Sequence, residues 1–340
     1  MPNNFFITTP IYYVNDVPHI GHAYTSIATD FIARFKRMSG VDTIFLTGTD
    51  EHGQKIQKAA ENNLIEPLSL CDKNSEKFRE LTEVLNLSND DFIRTTEKRH
   101  IDGAKSLWNK LMDNGDIYLD TYKGWYSVSD ETFYNEKDLN KQQDGSFKTI
   151  TGGPVDWIEE ESYFFKLSKY SEKLLDLYEK NSDFILPKSR KNEVVSFVKS
   201  GLRDLSISRN TFNWGINVPK DERHVMYVWL DALSSYPNSL GYIEDKNSKL
   251  SSYWLNSTHI VGKDILRHHA VYWPAFLMSA KLDLPKRIFA HGWWTNEGNK
   301  ISKSLGNAID PIEIIDKFGL DQIRYFLLRE ITFGSDGDFS

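Results

Sequence analysis

Apolar and polar positions alternate in two rhythms along the first sixty residues. "FFITT" (5–9) is a short aromatic and β-branched run stopped by Pro10, which predicts a buried strand. From residue 20 the rhythm is helical: Ile20, Ala23, Ile27, Phe31, Ile32 and Phe35 predict an apolar stripe, and Gly40 ends it. "VDTIFLTGTD" predicts a second strand and "KIQKAAENN" a second helix. This βαβα order implies parallel strands joined by a right-handed crossover. From about 117 to 165 the text breaks into short strands and turns such as "GWYSVSDETFY", "KQQDGSFKTI" and "TGGPVDW". Helical patterns resume in "LSKYSEKLLDLYEKN" and "NEVVSFVKSGL". Parallel-sheet text then returns in "HVMYVWLDALSSY", "THIVGKDILRHH" and "KRIFAHGWWTNEG". The pattern predicts an α/β protein whose parallel sheet is split by an inserted smaller α+β domain. The expected limits are 1–115 and 226–340 for the two halves and 116–225 for the insertion.

Composition narrows the class. The chain has 340 residues, 40% hydrophobic and 26% charged, an ordinary globular balance for more than one domain. No apolar run is long enough for a membrane helix, and the N-terminus lacks a basic leader, so no membrane partner and a cytoplasmic location are expected. The single cysteine, Cys71, excludes an internal disulfide and a zinc site built from several thiolates. A net charge of −7 argues against a protein that coats nucleic acid, since such binding is mostly phosphate neutralisation. A local basic patch remains open at 186–209, where Lys188, Arg190, Lys191, Lys199, Arg203 and Arg209 outnumber Glu193 and Asp204. A solvated helix face explains that stretch equally well.

The candidate chemistry lies just beyond the predicted strands. Ligands of open parallel sheets bind outside the carboxyl ends of the strands. "FFITT" is followed by "PIYYVNDVPHIGH", "TIFLT" by "GTDEHG", "MYV" by "WLDALSSY", "HIV" by "GKDILRHH" and "RIFA" by "HGWWTNEGNKISKSLGN". These edges collect glycine, aromatics, histidine and charge. In "PHIGHAYT" (18–25), His19 and His22 stand three residues apart at a helix start, on one side of it, with the bare backbone of Gly21 between them. "NKISKSLGN" (299–307) offers cations, hydroxyls and glycines suited to a polyphosphate, although its spacing is not that of a Walker A loop.

"HIGH" near the start and "KISKS" near residue 300, on a split parallel sheet, resemble the two signatures of class I aminoacyl-tRNA synthetases. "TTPIYYVNDVPHIGHAYT", "TGTDEHG", "VWLDAL", "VGKDILRHH" and "HGWWTNEGNKISKSLGN", in that order, resemble the methionine branch of that family through nearly the whole chain. The resemblance implies a Rossmann-like, doubly wound fold. It also implies ATP-dependent activation of methionine to an adenylate, followed by transfer to the acceptor end of tRNA(Met). ATP would enter as a substrate with Mg2+. His19, His22, Lys300 and Lys303 would be catalytic, donating to the phosphates. Ile11, Tyr13, Asp50, Trp229, Ala232, Leu233, Tyr236 and His269 would bind methionine, with Asp50 on the α-ammonium. Asn15, Gly21, Gly262, Asp264, His291, Trp294 and Ser302 would complete the ATP site, Gly262 and Asp264 at the ribose.

Two departures from the family pattern stand out. Ser127 and Asp130 occupy places where many relatives carry zinc-binding thiolates, so no zinc is expected. The chain also stops at Ser340, before the helical bundle that reads the anticodon in the family, which puts specific tRNA charging in doubt while leaving adenylate formation expected. A monomer is expected. The alternatives are a small-molecule adenylyltransferase of the same superfamily and a catalytically inactive synthetase-like binding module.

Overall fold

The computed structural model describes residues 3–15, 17–128, 130, 132–150, 152–296, 299–301 and 309–339, with residues 296, 299 and 300 described by their backbone alone. The chain begins as its periodicity predicts. Strand β1 (Asn4–Thr8) leads past β2 (Tyr12–Tyr13) into helix α1 (Ile20–Met38), strand β3 (Asp42–Asp50), helices α2 (Gln54–Asn62) and α3 (Pro67–Val84), strand β4 (Asp91–Arg94) and helix α4 (Lys98–Asp113). Phe6, Ile7, Phe45 and Leu46 are fully buried, as parallel strands covered on both faces require.

A seven-stranded sheet forms the frame. Its order runs from Ile185–Leu186 through Arg287–His291, Ser257–Gly262, β1 and β3 to β2, with β4 also on β3. Every pairing in it is parallel. The chain leaves β1 for β3 on one side and later fills the other side with Ser257–Gly262. The order therefore reverses at β1, and the crevice beyond its carboxyl end is where such sheets bind ligands.

Two expectations change here. Phe31 and Phe35 are 54% and 57% exposed, so the apolar stripe of α1 does not extend to them. At that level of the helix the inward positions are Ala33 and Asp30. The Asp30 carboxylate is buried among hydrogen bonds from Ser88, Arg34 and Arg324. The strand expected in the parallel sheet at "HVMYV" is Asp221–Met226, which instead pairs antiparallel with Ser208–Arg209 and Asn217–Val218. Its buried apolar run resembles a parallel strand because periodicity reports burial and not the partner.

Within 116–225, β5 (Ile117–Ser127) forms a long antiparallel ladder with Asp156–Phe165. Trp125 faces Trp157 edge-on, with ring centroids 5.3 Å apart, and Phe147 lies 4.8 Å from Trp125. Arg209 makes a buried ion pair with Glu160 and stacks over Tyr126 at 4.0 Å. Helices α5 (Ser171–Lys180) and α6 (Lys188–Lys199) follow the predicted helical patterns. Between them lies the edge strand Ile185–Leu186 of the main sheet, so this segment also contributes to the frame. Helix α7 (Val228–Ser239) then carries the chain back.

Candidate active site

Helix α1 starts on His19, and both histidines of "HIGH" cap it. His19 Nδ1 accepts the Gly21 N–H at 3.1 Å, and His22 Nδ1 accepts the His19 N–H at 3.0 Å. This reciprocal box satisfies backbone donors that the first helical turn leaves unpaired. It also sets the chemistry of both rings. A nitrogen that accepts from a backbone N–H carries no proton, so in each ring the proton sits on Nε2 and makes it a donor. The rings lie 3.9 Å apart between centroids. Gly21 is needed for this geometry, because a Cβ there would stand 2.9 Å from His19 Cε1. Tyr12 and Phe78 brace His22 edge-on at 4.9 and 5.2 Å.

Asp50 ends β3 with its side chain buried, and its carbonyl accepts the Val14 N–H at 3.2 Å. Ile11 and Tyr13, beyond β1, are half-buried against the main core. The facing wall comes from α7 and the segment after Ser257–Gly262. Tyr236 donates to His269 Nε2 at 2.7 Å, while His269 Nδ1 donates to the Ile265 carbonyl at 2.9 Å. Burial pushes the His269 imidazole down to about 4. Burial also raises the Tyr236 phenol, and the nearby Asp50 carboxylate adds to that rise, which brings Asp50 and this wall into one neighbourhood. Trp229 lies 6.0 Å from His269, and Ala232 and Leu233 are buried on the same helix.

The residues expected at ATP divide. Gly262 and Asp264 are close neighbours, since a Cβ at 262 would meet Asp264 Oδ1 at 2.5 Å. His291 donates through Nδ1 to the Gly292 carbonyl at 2.7 Å, and its Nε2 lies 2.8 Å from Thr25 Oγ1 on α1. Burial lowers its pKa, so it bridges as a neutral ring. The Trp294 side chain packs among Tyr24, Phe326 and Phe339 in the core beneath α1. Asn15 lies half-buried in the turn after β2. Lys300 is described only as backbone, paired with Thr295, and Ser302 and Lys303 lie outside the described residues. Where description resumes, the Ile309 carbonyl accepts the Ile20 N–H at 3.0 Å and so meets the start of α1.

Sequence reasoning missed several neighbours. His268 stacks on Trp229 with centroids 3.8 Å apart and planes 9° from parallel. Trp293 donates through its indole to Asp264 Oδ1 at 3.0 Å. The doubled rings in "RHH" and "GWW" are the available signal, since each pair offers a first member beside the expected second one. The donor set does not fit a thiolate zinc centre in the insertion: Ser127 is buried and accepts the Asp130 N–H at 3.3 Å, and Cys71 lies in α3.

The sequence matches the family described as tRNA synthetases class I (M) over residues 5–340. The chain belongs to the class I tRNA synthetases. Within that family it is 64% identical over 340 residues to the methionine–tRNA ligase of Rickettsia felis, covering all of this chain and 65% of that protein. Its structure resembles Mycobacterium tuberculosis methionyl-tRNA synthetase in complex with methionyl-adenylate, with a TM-score of 0.96, 52% identity, and coverage of 99% of this chain and 66% of that one. The free form of that synthetase gives 0.84 at 50% identity, covering 99% and 64%. The chain thus spans about two thirds of the length of the curated synthetases it matches.

Proposed function

We propose that the chain activates L-methionine with ATP, releasing pyrophosphate, and passes the methionyl group to the acceptor end of tRNA(Met). The observation that carries this reading is the capping box of α1, which sets two Nε2–H donors side by side where the order of the sheet reverses. One methionine carboxylate oxygen attacks the α-phosphate, and the bond to the β-phosphate oxygen breaks. The carboxylate is ionised at neutral pH and needs no general base. The barrier comes from charge gathering on the phosphates, which positioned donors relieve. His19 and His22 supply two such donors, and the N-terminus of α1 adds its dipole. Lys300, Ser302 and Lys303 add cations and a hydroxyl, and magnesium arrives chelated to the ATP substrate.

Asp50 pairs with the α-ammonium while Ile11, Tyr13, Trp229, Ala232, Leu233, Tyr236 and His269 enclose the thioether, for which aromatic neighbours contribute about 0.3–1.5 kcal/mol each. Gly262, Asp264, Asn15, Gly21 and His291 serve the nucleotide, Trp294 through its backbone. We read 1–115 and 226–340 as two halves of one catalytic unit and 116–225 as a connective unit without zinc. A cytoplasmic monomer completes the proposal. Support for the substrate comes from the relatives, including the synthetase whose adenylate complex this fold matches more closely than the free form. Methionine-dependent ATP–pyrophosphate exchange tests it, with isoleucine and cysteine as controls. Exchange with methionine alone is expected; exchange with another amino acid, or with none, overturns the assignment.

A further inference from the structure

Asp231 sits on α7 between Trp229 and Ala232, and its side chain is 1% exposed. Its Oδ2 accepts from His52 Nδ1–H at 2.6 Å and its Oδ1 from His100 Nε2–H at 2.5 Å. His52 lies two residues beyond Asp50, in the turn after β3, and His100 lies on α4. Asn238, further along α7, donates to the His100 carbonyl at 3.2 Å, so α7 grips α4 twice. The turn carrying His52 is held from its other side, where the Trp214 indole donates to the Glu51 carbonyl at 2.6 Å. Stability alone does not call for this arrangement. A buried carboxylate is expensive to desolvate, and an apolar replacement of matching shape is often neutral or stabilising. What the trio does supply is direction. Each carboxylate oxygen is committed to one partner, and the two partners belong to different elements.

We propose that Asp231 and His52 are positioning residues of the amino-acid pocket. Their bond sets the separation between Asp50, which takes the ammonium, and the α7 wall of Trp229 and Tyr236, which takes the side chain. The inference rests on the methionine-activating function proposed above. It makes the pair specific to one substrate, since neither residue belongs to the elements assigned to ATP.

The test is ATP–pyrophosphate exchange with methionine and ATP varied in turn, on wild type, His52→Ala, His52→Asn and Asp231→Asn. An asparagine at 52 offers its Nδ2–H where the imidazole offers Nδ1–H, so it keeps the bond. His52→Ala and Asp231→Asn are expected to raise KM for methionine about tenfold or more and to leave KM for ATP within about twofold. His52→Asn is expected to restore KM for methionine to within about threefold of wild type. Equal rises in both KM values, an unchanged methionine KM, or an asparagine variant as impaired as the alanine one overturns the inference. Should Asp231→Asn fail to fold, the two His52 variants still decide. A wild type silent with methionine would remove the proposed activity and this inference together, whereas an active wild type with unshifted variants removes the inference alone.

Discussion

The Tyr236 hydroxyl donates to His269 Nε2 at 2.7 Å, and the proton on His269 Nδ1 is held by the Ile265 carbonyl. The imidazole is thus fixed as a neutral acceptor in the wall of the proposed methionine pocket. Tyr236→Phe leaves a buried ring nitrogen without its donor, which costs about 1–3 kcal/mol where it is felt. Methionine KM should rise about tenfold, with ATP KM nearly unchanged, in exchange kinetics.

The same ring shapes the response to acid. Its pKa of about 4 in the fold lies below the 6.5 of a free histidine. Between those values the unfolded chain takes up a proton that the native ring refuses, so stability is full above the window and falls as pH drops through it. Burial drives His259 and His268 the same way. For Asp116, burial works upward, but hydrogen bonds from Lys169, Tyr170, Ser279 and Asn114 outweigh it and hold the carboxyl at about 2. Its contribution is therefore present above the usual carboxylate range and disappears only as pH falls toward 2. Urea titrations at about pH 7.5 and about pH 5 should differ by about 2 kcal/mol for each fully shifted histidine, and His269→Gln should flatten that slope.

Capping and chemistry can be separated at residue 19. Asparagine is a good N-cap, so His19→Asn should retain an acceptor for the first turn and change stability by no more than about 0.5 kcal/mol. It has no donor in the place of Nε2–H, and the exchange rate should fall about 10²–10³-fold. An active His19→Asn enzyme would reduce His19 to a cap.

At position 21 the two effects oppose each other. Alanine is preferred over glycine in a helix by about 1 kcal/mol, yet its Cβ would displace the His19 ring, which stands 2.9 Å away. Displacing that ring also removes its cap on the first turn, a loss of about 0.5–2 kcal/mol that offsets the helical gain. Gly21→Ala should therefore melt close to wild type while losing about tenfold or more in exchange rate.

Much of this architecture is legible in the residues. Short apolar runs locate β1 and β3, helical text locates α1 and α2, and the loops after the strands carry the candidate residues, because parallel strands place their carboxyl ends along one edge. What failed was pairing. "HVM" has the burial of a central strand but pairs within its own hairpin, and Ile185–Leu186 is too short to show any period. The stripe of α1 broke at Phe31 because a charged residue, Asp30, holds the inward position through Arg34, Arg324 and Ser88, and no apolar pattern anticipates that. The sequence neighbours of Trp294 point to the nucleotide, while its ring packs with Tyr24 and Phe326. The bond between His52 and Asp231 spans 179 positions and exists only in the folded molecule.

The strand Ile185–Leu186 has a practical consequence. It lies inside the stretch that reads as an accessory unit, yet it borders Arg287–His291 and closes that edge of the frame. A chimaera that exchanged 116–225 wholesale with a relative would carry a piece of the host's own scaffold away. Leu205–Ser206, further along, returns to pair with Phe164 and Phe165 of the inserted sheet. A transplant therefore needs two exchanged pieces with residues 185 and 186 left to the recipient between them, and the natural seam for protein engineering does not follow the seam of the sequence.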